Sequence, residues 1–297
     1  MKIIEPYDVT PAMMLASNVP ETDHPAWVSG TSYANGARVI RQNAIWESIQ
    51  AANVGHDPLT DVTSQWWFRI GATNRWRAFD NRLGGVTRQS GNITYTIRPP
   101  RTLNSIAFFG LDAQSVRIRV TTPGAVLTYD QTFQLASRDQ VGTFWEYIYT
   151  PFTVRSDLIL TGLSLPSGSS IEITVASTGS AEVGEIMIGN QIDIGISLMG
   201  SSLGIVDYSR KDRDEFGGVF IVPRPVSETV RFRFSVPSGG EARVQQIIRR
   251  ITSKICVFYA IEGEDRFGMT IAGILRDYDL TIGAGKSFGT IDAESLV

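Results

Sequence analysis

In Val116-Arg-Ile-Arg-Val120 apolar and charged residues alternate, so an extended chain carries Val116, Ile118 and Val120 on one face and Arg117 and Arg119 on the other. Runs of similar length flank it: Thr94-Tyr-Thr-Ile97, Ser105-Ile-Ala-Phe-Phe109, Ala125-Val-Leu-Thr-Tyr129, Trp145-Glu-Tyr-Ile-Tyr149, Leu158-Ile-Leu-Thr-Gly162, Ser170-Ile-Glu-Ile-Thr-Val175 and Gly184-Glu-Ile-Met-Ile188. About eight strands separated by turn signals predict a jelly-roll-like β-sandwich over residues 78–197.

On the C-terminal side, residues 198–297 read as a small α+β unit. Thr229-Val-Arg-Phe-Arg-Phe-Ser-Val236 alternates as a strand, with Arg231 and Arg233 on its polar face. From Glu241 to Ser253 the apolar residues Val244, Ile247, Ile248 and Ile251 share one face at helical spacing, and Ser238-Gly-Gly-Glu241 is the expected N-cap. Two more strands are expected over Cys256–Ile261 and Met269–Leu275, followed by a turn-rich tail. Ser209-Arg-Lys-Asp-Arg-Asp-Glu215 reads as a mixed-charge loop ending at Gly217-Gly218.

On the N-terminal side the composition shifts. Five of the six tryptophans (Trp27, Trp46, Trp66, Trp67 and Trp76) precede residue 77, which marks a separate aromatic unit over residues 25–77. Residues 1–24 hold Pro6, Pro11 and Pro20 and are expected to form an arm; Ala12-Met-Met-Leu-Ala16 within it is either one helical turn or an extended piece laid on a neighbour. The fold class is therefore mainly β, and 297 residues suit two or three domains.

Hydrophobic residues at 42% against 19% charged give enough apolar material for buried cores and argue against disorder. A net charge of −3 gives no nucleic-acid footprint. The basic residues are 23 Arg and 4 Lys. Arginine suits protein–protein contacts, though a GC-rich genome produces the same bias. The single cysteine, Cys256, sits in an apolar strand-like run and reads as a buried structural thiol. No apolar run approaches the ~18 residues of a membrane span, and Met-Lys-Ile-Ile-Glu-Pro lacks a signal-peptide core. The expectation is a chain made in a cytoplasm with no export signal.

The segment Trp27-Val-Ser-Gly-Thr-Ser-Tyr33, Gly36-Ala-Arg-Val39, Ile45-Trp-Glu-Ser48, Asn53-Val-Gly55, Asp57-Pro58 and Trp66-Trp67 resembles a short chitin- or cellulose-binding module. It departs from that pattern at Ile49-Gln-Ala-Ala-Asn53, where paired aromatics usually stand. The resemblance implies that Trp27, Tyr33, Trp46, Trp66 and Trp67 stack on sugar. The alternative is that these rings are the core of a domain of about 50 residues, which is too small to fold without them. A wider resemblance is to bacteriophage tail- or fibre-associated virion proteins, in Ala72-Thr-Asn-Arg-Trp-Arg-Ala-Phe-Asp80, Glu182-Val-Gly-Glu-Ile-Met-Ile-Gly189, and Asp207-Tyr-Ser-Arg-Lys211 with Phe216-Gly217. It implies assembly with other virion proteins, a trimer or hexamer, and residence in the tail, with a surface glycan as a further partner. Arg117, Arg119, Arg210, Lys211, Arg213, Arg231 and Arg233 are the interface candidates; a solvated strand face or loop is the alternative for each.

Catalytic signals are weak. The two histidines, His24 and His56, lie near the N-terminus, so the later domains have no Ser–His or Cys–His pair. With Asp23 and Asp57 they show no converging ligand spacing. Gly283-Ala-Gly-Lys-Ser287 imitates the end of a phosphate loop but has Leu280 where the motif needs its first glycine. Asp277-Tyr-Asp279 and Asp212/Asp214/Glu215 lack the spacing of a calcium loop. No catalytic residue, metal or cofactor is expected.

Overall fold

A computed structural model describes residues 1–82, 84–137, 153–213, 215–224, 226–260 and 269–295. The strand expected over Trp145–Tyr149 and residue Ile261 lie outside them.

The chain is mainly β, and its architecture grows from Ser115–Thr121. Val116, Ile118 and Val120 are fully buried, while Arg117 and Arg119 point to the other face. The strand pairs antiparallel with Leu127–Gln134 on one side and Ser170–Ala176 on the other, and Ile93–Ile97 and Met14–Ser17 complete a five-stranded sheet. Register lines up three apolar rows across it: Val120–Ile171–Ile97, Ile118–Ile173–Tyr95 and Val116–Val175–Ile93. These rows pack on Ile106 and Phe108 of Ser105–Phe109, Ile186 and Ile188 of Glu185–Asp193, and Leu160 of Leu158–Leu160. Each fully buried Val, Ile or Phe contributes about 1.5–3 kcal/mol relative to exposure. The two layers are the expected sandwich.

The layer opposite is longer than the sandwich. It is a ten-stranded sheet that continues past residue 197 into the C-terminal half. One of its interior strands is Lys2–Pro6, hydrogen-bonded to Glu185–Asp193 on one edge and to Ile255–Tyr259 on the other. Residues 1–24, read from sequence as an arm, thus supply an interior strand here, and Met14–Ser17 supplies an edge strand to the five-stranded sheet. Neither a helical turn nor an arm on a neighbour describes them. Ile3 and Ile4 are both fully buried on opposite faces, Ile3 with Phe232, Phe258 and Ile291, Ile4 with Phe109, Met187 and Val257. Gly189 permits the close pairing with Lys2–Pro6, because a Cβ there would lie 2.2 Å from the Glu5 carbonyl oxygen.

In the C-terminal half, Val226–Pro237, Thr270–Thr281 and Lys286–Ser295 extend the sheet, and the helix Glu241–Ile251 covers one face through Val244, Ile247, Ile248 and Ile251. The N-cap position is Gly240, without a side-chain cap; instead the Gly239 N–H donates to Glu241 Oε2 at 2.8 Å. The tail expected to be turn-rich is a β-hairpin, and the imitation phosphate loop is its turn, where Ser287 Oγ donates to Glu241 Oε1 at 2.7 Å. Cys256 is fully buried and its thiol is pushed up to about 12 by burial, as expected of a structural thiol. Among the described residues, no helix is long and apolar enough to cross a membrane.

Residues 25–77 contain a separate three-stranded antiparallel sheet, Arg38–Arg41, Ala44–Ser48 and Trp67–Ala72. Trp67 is fully buried against it, and the Asp61 carboxylate ties down the preceding loop by accepting from the Gln65, Trp66 and Trp67 N–H groups at 2.7–3.0 Å.

Candidate functional site

The five aromatic candidates do not form one open platform. Trp67 is fully buried; its Nε1 donates to the His56 carbonyl at 2.8 Å, and Tyr33 meets it edge-on with centroids 5.2 Å apart. That ring is core, and the reading of Trp67 as a sugar contact is corrected accordingly. Tyr33 and Trp46 are half-buried and turned to the module's own backbone, through the Val28 N–H and the Arg41 carbonyl respectively. Trp27 lies under the Arg41 guanidinium, 5.0 Å from ring centroid to Cζ, and Asp57 holds that arginine at 2.7 Å. Trp66 stacks on His56, with centroids 3.8 Å apart and planes 10° from parallel. This stacked pair is a flat, half-buried aromatic surface, and Phe68 nearby in the chain is exposed. His24 and His56 hold no shared carboxylate set, and among the described residues no three His, Cys, Asp or Glu converge as metal ligands.

The arginine candidates are mostly engaged within the chain. Arg117 holds Asp130 with two bonds of 2.7–2.8 Å, and Arg119 lies 3.5 Å from Asp130 and 3.3 Å from Glu172. Arg231 grips Asp292 in the same two-pronged way at 2.6–2.7 Å. Each acid stands on the adjacent strand, directly across or two residues along the ladder. These faces are therefore rows of alternating charge, not cationic patches. Arg233 is laid along Gly200, whose missing Cβ makes room for it. Arg210 pairs with Asp212 at 2.8 Å and Lys211 with Asp207 at 3.0 Å. Arg213 ends the same strand.

Those last residues belong to an element that sequence reading missed. The stretch read as a mixed-charge loop is a strand, Arg210–Arg213, paired antiparallel with Val219–Val222 around a turn in which Gly217 takes φ +84°. The ribbon continues Ser202–Asp207, which pairs with Val226–Pro237 at the sheet margin. At its base Tyr208 donates its hydroxyl hydrogen to Glu294 Oε1. Val219, Phe220, Ile221 and Val222 are exposed at 56, 68, 53 and 38%, and Leu203 and Ile205 at 53 and 73%. A two-stranded ribbon exposed on both faces has no core to hold it, and four consecutive exposed apolar residues are unusual on a soluble surface. The only sequence signal is the run Val219-Phe-Ile-Val222 after Gly217-Gly218. Such a run ordinarily means a buried strand.

A third feature lies where the module meets the sandwich. Glu185 is 1% exposed, accepts from the Asn81 N–H at 3.3 Å, and has no partner for Oε2 among the described residues. Burial, reinforced by Asp80 and Asp8, pushes its carboxyl up to about 8; burial also raises Asp80. A neighbouring open cavity of about 520 Å³ is lined by Ile45, Ile70, Arg77, Asp80 and Arg82, and Glu185 is not in its lining. A neutral acid closed off from the cavity cannot exchange a proton with a bound molecule there, so its effect is on the fold.

No protein-family model and no curated protein matches the chain. Among solved structures, a chitosan-binding module of a chitosanase/glucanase from Paenibacillus sp. IK-5 aligns with 39% of this chain and 84% of its own, at 12% identity and a TM-score of 0.27. A likeness of that size carries no argument about ligand or role.

Proposed function

We propose that the chain is a non-enzymatic structural subunit that works by assembling with other proteins, as a component of a bacteriophage tail, baseplate or fibre attachment. The observation that carries the reading is the apolar ribbon of Ser202–Asp207 and Val219–Val222, whose exposed side chains gain stability only when another surface covers them. The tail setting rests on the scattered sequence patches that resemble tail-associated proteins. Immunogold labelling of particles from producing cells tests it: gold on tails supports the reading, and antigen confined to the free soluble fraction overturns it.

A second reading, glycan binding, is favoured by the half-open Trp66–His56 stack, since sugar C–H faces pack on flat aromatic surfaces. Calorimetric titration with chitin and cellulose oligosaccharides separates the two. Binding that Trp66→Ala removes supports the glycan reading, and no heat with either sugar rejects it for these ligands. Both roles can coexist in one tail protein.

A further inference from the structure

We infer that the ribbon's partner is a second copy of this chain, joined by antiparallel pairing of the two Val219–Val222 edges about a two-fold axis. The inference rests on the assembly reading and names its partner.

Edge geometry comes first. Val219–Val222 pairs with Arg210–Arg213 on one side, and among the described residues no strand pairs with its other side. Backbone N–H and C=O groups along that side are a template for another strand. Most exposed edges are blunted by lysine, proline or a bulge. This one presents Val, Phe, Ile and Val in unbroken register, with the charges on the paired strand Arg210–Arg213 and the first proline, Pro223, beyond the strand's end. An edge of this kind favours joining over avoidance.

Charge selects the same occupant. From Asp207 to Arg224 the sequence carries four acidic and four basic residues, so the ribbon is neutral overall. A strongly acidic or basic partner gains nothing from such a surface. A second ribbon run antiparallel meets an apolar edge with an apolar edge and places Arg210–Arg213 on the outside of a four-stranded sheet. The contact is isologous: each residue's partner in one copy is the mirrored position in the other.

Size is consistent with this. At about 200 Å² per ring, Tyr208, Phe216 and Phe220, exposed at 50, 95 and 68%, offer about 400 Å². That is half of the ~800 Å² that a standard interface takes from each partner. Leu203, Ile205 and the aliphatic residues of the edge supply the remainder.

Two-fold pairing gives a dimer, or a hexamer built from dimers, and excludes a simple trimer. The test is sedimentation equilibrium of the full chain, beside Ile221→Lys and, as a fold control, the circular dichroism melt of each. Ile221 is exposed, so the variant is expected to melt as the wild type does. An even-numbered wild-type mass that falls at least tenfold in association constant with Ile221→Lys supports the inference. A wild-type monomer at 100 µM, taken as about a hundred times a micromolar dissociation constant, overturns it. An oligomer unchanged by Ile221→Lys and by Phe220→Lys also overturns it, and places the contact elsewhere. Gold-labelled tails together with a monomeric chain would leave the assembly reading standing and assign the ribbon to a different virion protein.

Discussion

Replacing Glu185 by glutamine should make the protein more stable above neutral pH and change it little in acid. The folded carboxyl keeps its proton to about pH 8, whereas an unfolded glutamic acid releases it near 4.5. Between those values the unfolded chain binds fewer protons than the folded one, so raising the pH favours unfolding. The stability is fully present below about 4.5, declines through the window, and is flat above about 8. At ~1.4 kcal/mol for each tenfold change in proton activity, the whole window is worth on the order of 5 kcal/mol. Glutamine keeps the shape, stays neutral throughout, and offers an N–H to the neighbouring Asp80. Urea unfolding of both proteins at pH 5, 7 and 9 isolates the effect, because other titrations cancel in the difference. The expected gap is small at pH 5 and several kcal/mol in favour of Glu185→Gln at pH 9. A gap that does not vary with pH would refute the claim that burial keeps Glu185 protonated.

Other substitutions separate core from surface. Trp67→Ala should cost about 3–5 kcal/mol and disorder the aromatic module, while half-open Trp66→Ala should cost under about 1 kcal/mol; equal losses in tryptophan-fluorescence unfolding would contradict the assignment of Trp67 to the core. Arg117→Ala and Arg231→Ala remove two-pronged but exposed ion pairs, so each should lower stability little, and by less at high salt. A denaturant midpoint lowered as far as by Trp67→Ala would mean that these pairs hold the sheets together. Deleting residues 1–6 takes out an interior strand of the ten-stranded sheet and exposes two new edges. The truncated chain should lose its cooperative thermal transition, and a melt unchanged from wild type would contradict the interior placement of Lys2–Pro6.

Local patterns were readable where a strand or helix reports its own burial. Val116-Arg-Ile-Arg-Val120, Thr229–Val236 and the stripe Val244, Ile247, Ile248 and Ile251 all lie as their periodicity predicts. What periodicity omits is pairing over distance. Ile3-Ile4 is too short to announce a strand, and its partners lie about 180–250 positions away, so an interior strand looked like an arm. The arginines looked free because Asp130, Glu172 and Asp292 come beside them only once the registers are set. Trp66 and Trp67 are adjacent and chemically identical, yet strand alternation encloses one and leaves the other stacked on His56. Glu185 sits in a run that reads correctly as a strand, and nothing in the run marks its carboxyl as buried. The ribbon was missed for a related reason. The charges of Arg210–Arg213 suggested a solvated loop, although the strand that gives them shape, Val219–Val222, begins six positions after Arg213 and pairs with them.

The most direct test of assembly through the ribbon is hydrogen–deuterium exchange over Val219–Val222, measured from dilute to concentrated protein. Pairing with a second edge predicts that the outward amides of this strand become protected as concentration rises, while the sandwich amides of Ser115–Thr121 stay protected throughout. Rapid exchange over Val219–Val222 at every concentration would contradict the account.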